Sequence, residues 1–205
     1  RERVIQPNED VDTVKKSFDE GKKLFEEMEE KYGINVVSMN SVVKKNAQGQ
    51  DAVFTAVDRI EGQNLLEAKQ FQPEMQNKLE ALYIALGKYY QDAQRQKSKF
   101  WGDCKNEQFV YGNKVGEKEK KLYITDVDPD FYASGEDKFK TIEWCLNSIC
   151  NDLVESEGKF ESKTTLQAAR ESLSSIVDEM LKEQPESEPL LQAKMLLSQS
   201  NVPTT

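Results

Sequence analysis

A long amphipathic segment at residues 73–96 constrains the fold of this chain more than any other feature of its sequence. Its apolar side chains recur at steps of three and four, the spacing of one helix face. These residues are Met75, Leu79, Leu82, Leu86, Tyr89 and Ala93. Pro73 fits the first turn, where a backbone N–H has no partner within the helix. We therefore predict a helix over 73–96 whose striped face is buried.

The residues before Gly62 and the residues after it predict different secondary structure. Before it we predict a helix over 10–32 and a strand hairpin over 34–45 and 51–60, joined by the turn Asn-Ala-Gln-Gly-Gln. After it, besides the 73–96 segment, we predict helices over 63–70, 136–156, 162–182 and 187–199. This order predicts an α+β fold, with a small strand-bearing part in front of a mainly α-helical part.

Composition excludes several classes of protein. The net charge of −9 over 205 residues argues against a general nucleic-acid binder, since phosphate affinity needs an excess of Lys and Arg. Apolar stretches are only a few residues long, so we expect no membrane span and no signal peptide. The three cysteines have no C-x-x-C spacing, so we expect reduced thiols in a cytoplasmic protein.

The sequence contains no histidine. This excludes Ser-His-Asp and Cys-His catalysis, and it removes the commonest zinc ligand. Any chemistry carried out by these residues must use carboxylates, lysines, hydroxyl groups or a bound ion.

Two carboxylates stand at the ends of one predicted hairpin, within residues 101–129. Asp103 follows Phe100 and Trp101, and Asp126 follows the apolar run that ends at Ile124. A hairpin that carries an acid at each end can deliver both acids to one cleft. The plain alternative is a pair of loop aspartates that cap turns.

These residues resemble the protein-kinase-like fold. The kinase catalytic loop is H-R-D-x-x-x-x-N, and the stretch from Trp101 to Gln108 stands in its register. Its Gly-Asp pair resembles the H-G-D form of aminoglycoside phosphotransferases and related small-molecule kinases. The resemblance implies that Asp103 is the catalytic aspartate, with Lys105 beside it. The strand before Asp126 resembles the one that leads into D-F-G, so Asp126 and Gln108 are implied to hold Mg²⁺ for ATP.

Upstream matches to the kinase-like fold follow in the same order. Glu20 matches the glutamate of helix C, and residues 54–65 resemble the last strand of the small lobe and the hinge after it. The resemblance thereby places Glu20 and Asp58 among the nucleotide-binding residues. It implies a partial small lobe over 1–62 with a hinge near 58–62, and a helical lobe over 63–205 that carries the catalytic hairpin 101–129.

The sequence also departs from the kinase pattern. Trp101 replaces the loop histidine, Gln108 replaces asparagine, and Val127 and Asp128 replace Phe-Gly. Neither a G-x-G-x-x-G loop nor a V-A-I-K lysine is found, and Gln6 stands nearest to the place of that lysine.

Three interpretations follow from these matches and departures. The first is an ATP- and Mg²⁺-dependent phosphotransferase that acts on a hydroxyl of a small molecule or a protein. The second is a catalytically inactive kinase-like module, a pseudokinase, that binds a protein partner. The third is an unrelated helical interaction domain with one hairpin.

Overall fold

The computed structural model describes residues 1–127, 141–162 and 164–199, together with the backbone of residues 132 and 133. Within these ranges the chain is α+β, which confirms the predicted fold class. The α-helices are α1 (Val11–Tyr32), α2 (Met75–Gln96), α3 (Ile142–Gly158), α4 (Gln167–Glu183) and α5 (Glu188–Ser198). No helix in the described part of the chain is both long enough and apolar enough to cross a membrane.

Within the described residues, the strands form three separate sheets. They are β1 (Glu2–Val4), β2 (Asn35–Val36), β3 (Met39–Lys45), β4 (Asp51–Val57), β5 (Ile60–Asn64), β6 (Phe100–Trp101), β7 (Phe109–Lys114), β8 (Lys121–Ile124) and β9 (Tyr132–Ala133). A three-stranded antiparallel sheet has the order β1-β4-β3, and a four-stranded sheet has the order β2-β8-β7-β5. In the second sheet β2 runs parallel to β8 and the other pairs are antiparallel, while β6 pairs with β9 alone.

Helix α1 begins and ends close to the predicted residues. The Asp10 carboxylate accepts the main-chain N–H of Thr13 at 2.8 Å, which satisfies one of the free donors of the first turn. Gly33 follows the last turn with φ of 70°, a left-handed conformation that glycine adopts without steric cost.

Helix α2 lies at the centre of the molecule. All six residues of its predicted stripe are buried, and Tyr83 and Tyr90 extend the buried face. One continuous cluster of buried apolar side chains runs from Phe18 in α1 through α2 to Leu173 in α4. The strand-bearing part and the helical part therefore share one core across the boundary predicted near residue 62.

The predicted helix over 63–70 is wrong. Strand β5 continues to Asn64, whose side-chain oxygen then accepts the main-chain N–H of Leu66 at 2.8 Å. An asparagine that bonds to its own backbone two residues on makes a turn instead of a helix. The first residues of the predicted 136–156 helix, 136–140, lie outside the described residues. Helix α3 begins at Ile142, and Thr141 caps it.

The segment predicted as a hinge, residues 58–62, leads directly into a paired strand. Gly62 lies opposite Gly112 where β5 pairs with β7 in antiparallel register. A Cβ atom added to Gly62 would lie 2.2 Å from the carbonyl oxygen of Tyr111, and one added to Gly112 would lie 2.3 Å from that of Glu61. The two backbones approach this closely only because neither residue has a side chain.

We expect Gly62→Ala to lower the free energy of unfolding by about 1–3 kcal/mol, because the new methyl group would force the two backbones apart. Urea denaturation followed by circular dichroism measures this change. Gly158→Ala is the matched control, since nothing lies within 4 Å of its added Cβ. A loss of stability in Gly62→Ala no larger than in Gly158→Ala would contradict the close approach of the two backbones.

Candidate functional site

Helix α2 fixes the start of the loop that joins β6 to β7, residues 102–108. Trp101 is fully buried, and its main-chain N–H donates to the Tyr89 hydroxyl at 2.8 Å. The Trp101 carbonyl oxygen accepts a hydrogen bond from the Tyr90 hydroxyl, also at 2.8 Å. Two neighbouring tyrosines thus bond both main-chain groups of Trp101, two residues before Asp103.

The side chain of Asp103 is 9% exposed, and both of its oxygens are engaged. Lys105 Nζ lies 2.9 Å from Oδ1, and Gln108 Nε2 donates to Oδ2 at 2.5 Å. A 3₁₀ turn over Asn106–Gln108 folds the loop back so that both partners reach Asp103. The hydrogen bond to Asp103 raises the pKa of Lys105, which keeps the ammonium group charged beside the carboxylate.

Asp126 reaches the same end of the hairpin through strand β8. Phe109 pairs with Ile124, and the main-chain N–H of Thr125 donates to the carbonyl oxygen of Gln108 at 3.0 Å. The Asp126 side chain is 23% exposed, and its Oδ1 lies 2.6 Å from a guanidinium nitrogen of Arg1. The hairpin therefore brings Asp126 next to the loop that holds Asp103, Lys105 and Gln108.

The other two predicted site residues have partners of their own. The Asp58 carboxylate pairs with Lys114 at 3.0 Å and accepts the main-chain N–H of Ser38. The hydrogen bond from Lys114 lowers the pKa of Asp58, so this acid ties the hinge segment to β7 as an anion. Glu20 is partly exposed on α1 and pairs with Lys99 at 2.9 Å.

Arg1 is a site residue that the sequence analysis missed. Strand β1 pairs with β4, and the pairing extends to Arg1, whose carbonyl oxygen accepts the main-chain N–H of Thr55. Gln6, which stands nearest to the place of the strand lysine, lies beyond β1, and its side chain donates to the carbonyl oxygen of Val4 at 3.5 Å. The sequence near Arg1 carries no signal for this role, since β1 has the charged sequence Glu-Arg-Val.

A further group of polar residues lies beneath the loop and was also missed. The hydroxyl of Tyr83 is fully buried and contacts the side chain of Asn106, the carbonyl oxygen of Asp152 and the hydroxyl of Ser156. The sequence indicates that these two residues are buried, because Asp152 and Ser156 continue an apolar face of α3 at steps of three and four.

The donor set suits a hard cation such as Mg²⁺, which binds oxygen ligands and often takes only one or two carboxylates, together with phosphate oxygens and water. Asp126 supplies a carboxylate. Gln108 Nε2 donates to Asp103, so the amide oxygen is the only atom of the Gln108 side chain that could act as a ligand. Among the described residues, no three or more Asp, Glu, Cys or His side chains form a metal-binding group. A metal at this site would therefore depend on its substrate phosphates for further ligands.

Neither the models of known protein families nor the sequences of curated proteins match this chain. What the site can do chemically follows from its own geometry. The described residues include one buried carboxylate, Asp103, bonded by Lys105 and Gln108, and one partly exposed carboxylate, Asp126, paired with Arg1.

Proposed function

We propose that this chain is a kinase-like phosphotransferase domain that uses ATP and Mg²⁺ to phosphorylate a hydroxyl of a small molecule or a protein. The observation that carries the proposal is the bonding of Lys105 and Gln108 to Asp103, in a loop that is itself bonded to the strand presenting Asp126. Phosphoryl transfer depends mainly on positioning and on charge neutralisation, and this arrangement serves both.

Each residue has a distinct role in the proposed reaction. Asp103 orients the acceptor hydroxyl and takes its proton, because its carboxylate is held in one direction by two donors. Lys105 balances the negative charge that collects beside Asp103. Asp126 and Gln108 would hold Mg²⁺, which when bound neutralises charge on the β- and γ-phosphates.

Arg1 adds a phosphate contact to this proposal. In the kinase fold a strand lysine pairs with the nucleotide phosphates. Here Arg1, directly before β1, is a cation that reaches Asp126. A guanidinium group binds phosphate oxygens in a bidentate way, so Arg1 would move from Asp126 to the phosphates when nucleotide enters.

A thermal-shift titration with Mg-ATP tests the proposal. A K_d of about a millimolar, with Mg-ATP at the same concentration, raises the melting temperature by about 1–2 °C. The affinity is expected to be this weak because the chain has no Gly-rich loop to cover the phosphates. The shift should require Mg²⁺ and should disappear in Asp126→Asn. A shift that is unchanged without Mg²⁺ or in Asp126→Asn would refute the proposed metal site.

The Arg1–Asp126 ion pair favours a second candidate function, an inactive kinase-like module that binds a protein partner. In that case the guanidinium group occupies the carboxylate oxygen that a metal needs. Arg1→Gln separates the two functions. A working site should lose most of its Mg-ATP shift, because a phosphate contact is gone. A module blocked by Arg1 should instead gain a melting shift with Mg²⁺ alone.

A further inference from the structure

A cleft lies between the end of α1, the middle of α2 and the start of β8. Its volume is about 200 Å³, and the buried side chains of Leu82 and Leu122 line it. It stays open because Ala81 and Ala85 stand on the face of α2 that borders it, and an alanine side chain is too short to fill the space. We call it the Lys78 cleft, after a lysine that also lines it.

The charged groups that line the Lys78 cleft are cations. Lys78 comes from α2 and Lys121 from β8, and none of the described residues that line the cleft is an aspartate or a glutamate. At the α1 end of the cleft the Tyr32 hydroxyl donates to Asp92, and that acid is already paired with Lys31 at 3.1 Å. The cleft therefore attracts anions, although the whole chain carries a net charge of −9.

The ammonium group of Lys78 keeps donors that the fold does not use. Its Nζ donates to the main-chain carbonyl oxygen of Lys120 at 3.2 Å and lies 6.0 Å from the centre of the Tyr111 ring. An ammonium group has three N–H donors, so this bond leaves two of them for a ligand. Lys78 is half-buried and has no ion-pair partner in the described part of the chain. A partly desolvated cation without an anion is destabilising, and an anion bound in the cleft would remove that penalty.

Lys121 brings a second ammonium group from another wall of the cleft. Its Nζ lies 3.4 Å from the carboxylate of Glu119, an exposed residue two positions earlier in the chain. An exposed ion pair of this kind contributes little to stability, so Lys121 can leave Glu119 for a ligand. Asn35 Nδ2 donates to the carbonyl oxygen of Leu122 at 3.2 Å, which joins the end of α1 to the start of β8. The walls of the cleft are thus bonded to each other without a ligand.

We propose that the Lys78 cleft binds an organic phosphate monoester with a compact apolar body. A phosphate monoester carries about two negative charges at neutral pH, which matches the two ammonium groups of Lys78 and Lys121, whereas a carboxylate carries one. The apolar body packs on Leu82, Leu122 and the methyl group of Ala85, and burial of its surface adds to the affinity. A cavity of about 150 Å³ is enough to hold benzene, so the cleft has room for a single ring.

The Lys78 cleft is separate from the candidate catalytic site. Lys121 begins β8 and Ile124 ends it, about 10 Å away at 3.3 Å per residue, and Asp126 lies beyond Ile124. Binding of a phosphate monoester in the cleft therefore needs neither Mg²⁺ nor the proposed phosphotransfer activity.

An amide NMR titration of the 205-residue chain with phenyl phosphate, without Mg²⁺, tests the proposal. The main-chain amides of Leu82 and Leu122 should shift together and saturate with a dissociation constant of about 1 mM or below. Lys78→Gln and Lys121→Gln should each weaken binding by about fivefold or more, because each removes a charge-assisted bond to the phosphate. Lys118→Gln is the matched control, since it removes an exposed lysine just before β8 that does not line the cleft, and should change the affinity by less than about twofold.

Two further comparisons separate a shaped site from general attraction between charges. Ala85→Leu keeps both lysines but fills the space for the apolar body, so it should weaken phenyl phosphate binding by about tenfold or more. Inorganic phosphate lacks the apolar body and benzoate lacks the second charge, so each should bind about fivefold more weakly than phenyl phosphate, or weaker still. The proposal is overturned if Lys78→Gln or Ala85→Leu binds phenyl phosphate as the parent chain does. It is also overturned if benzoate binds as tightly, or if the shifts map to residues 102–108 instead of the cleft.

Discussion

Asp103→Asn is expected to lower the rate of phosphoryl transfer by about 10²–10⁴-fold, the usual contribution of a positioned general base. Mg-ATP affinity should be nearly unchanged, because the lost interaction matters only when the hydroxyl is attacked. Asparagine has almost the same shape as aspartate, and its side-chain oxygen can still accept a bond from Lys105 or Gln108. Turnover is measured as ADP release with Mg-ATP and a panel of hydroxyl acceptors, and affinity as the melting shift.

Two variants control for effects that do not belong to Asp103. Glu107→Gln removes an exposed carboxylate of the same loop, also 3.0 Å from Lys105, and should leave turnover within about twofold, as surface ion pairs contribute little. Asp126→Asn should weaken Mg-ATP binding itself. Equal and mild losses in Asp103→Asn and Glu107→Gln would remove Asp103 from the catalytic role.

Much of the fold could be predicted because its strongest signals are local. The stripe of α2 reflects 3.6-residue periodicity, and the caps of α1 at Asp10 and Gly33 reflect bonds between near neighbours. The segment after Gly62 was not predicted correctly because its strand forms through pairing with β7, about fifty residues away in sequence. Asn64 then ends that strand with a side-chain bond that outweighs the local helix propensity.

In the candidate site, too, the contacts between residues close in sequence could be predicted and the contacts between distant residues could not. Asp103, Lys105 and Gln108 lie within six residues, so a motif in the sequence was enough to predict that they lie together. Arg1 meets Asp126 across 125 positions, and Tyr83 meets Asp152 across 69. No local pattern encodes such contacts, because the packing of whole helices and sheets creates them. The residues that support a site are therefore harder to predict than the residues that form it.

The largest expected effect on stability concerns a buried ion pair between α3 and α4. Arg170 of α4 donates from Nε and Nη2 to the two carboxylate oxygens of Glu157 at 2.8 and 2.6 Å. Its Nη1 also donates to the carbonyl oxygen of Leu197 at 2.8 Å, near the end of α5. The Glu157 side chain is fully buried, and its Oε1 accepts the main-chain N–H of Leu166 as well. One guanidinium group thus joins the end of α3 to α4 and α5.

We expect Arg170→Met to lower the free energy of unfolding by about 3–5 kcal/mol, because it leaves a buried carboxylate without its cation. Methionine replaces most of the arginine stem, so the loss comes mainly from the charge and the hydrogen bonds. Urea denaturation followed by circular dichroism and tryptophan fluorescence gives the midpoint and the slope. If the slope of the unfolding free energy against urea concentration is unchanged, unfolding exposes the same amount of surface in both proteins.

Arg95→Met is the matched control, since Arg95 pairs with Glu179 on the surface and should cost less than about 1 kcal/mol. The double variant Glu157→Met with Arg170→Met separates two causes of the loss. If the unpaired charge is the cause, removing Glu157 too should restore a large part of the stability. If the double variant is as unstable as the sum of its single variants, the bonds of Arg170 to the end of α5 carry the effect. A loss in Arg170→Met no larger than in Arg95→Met would contradict the buried pair itself.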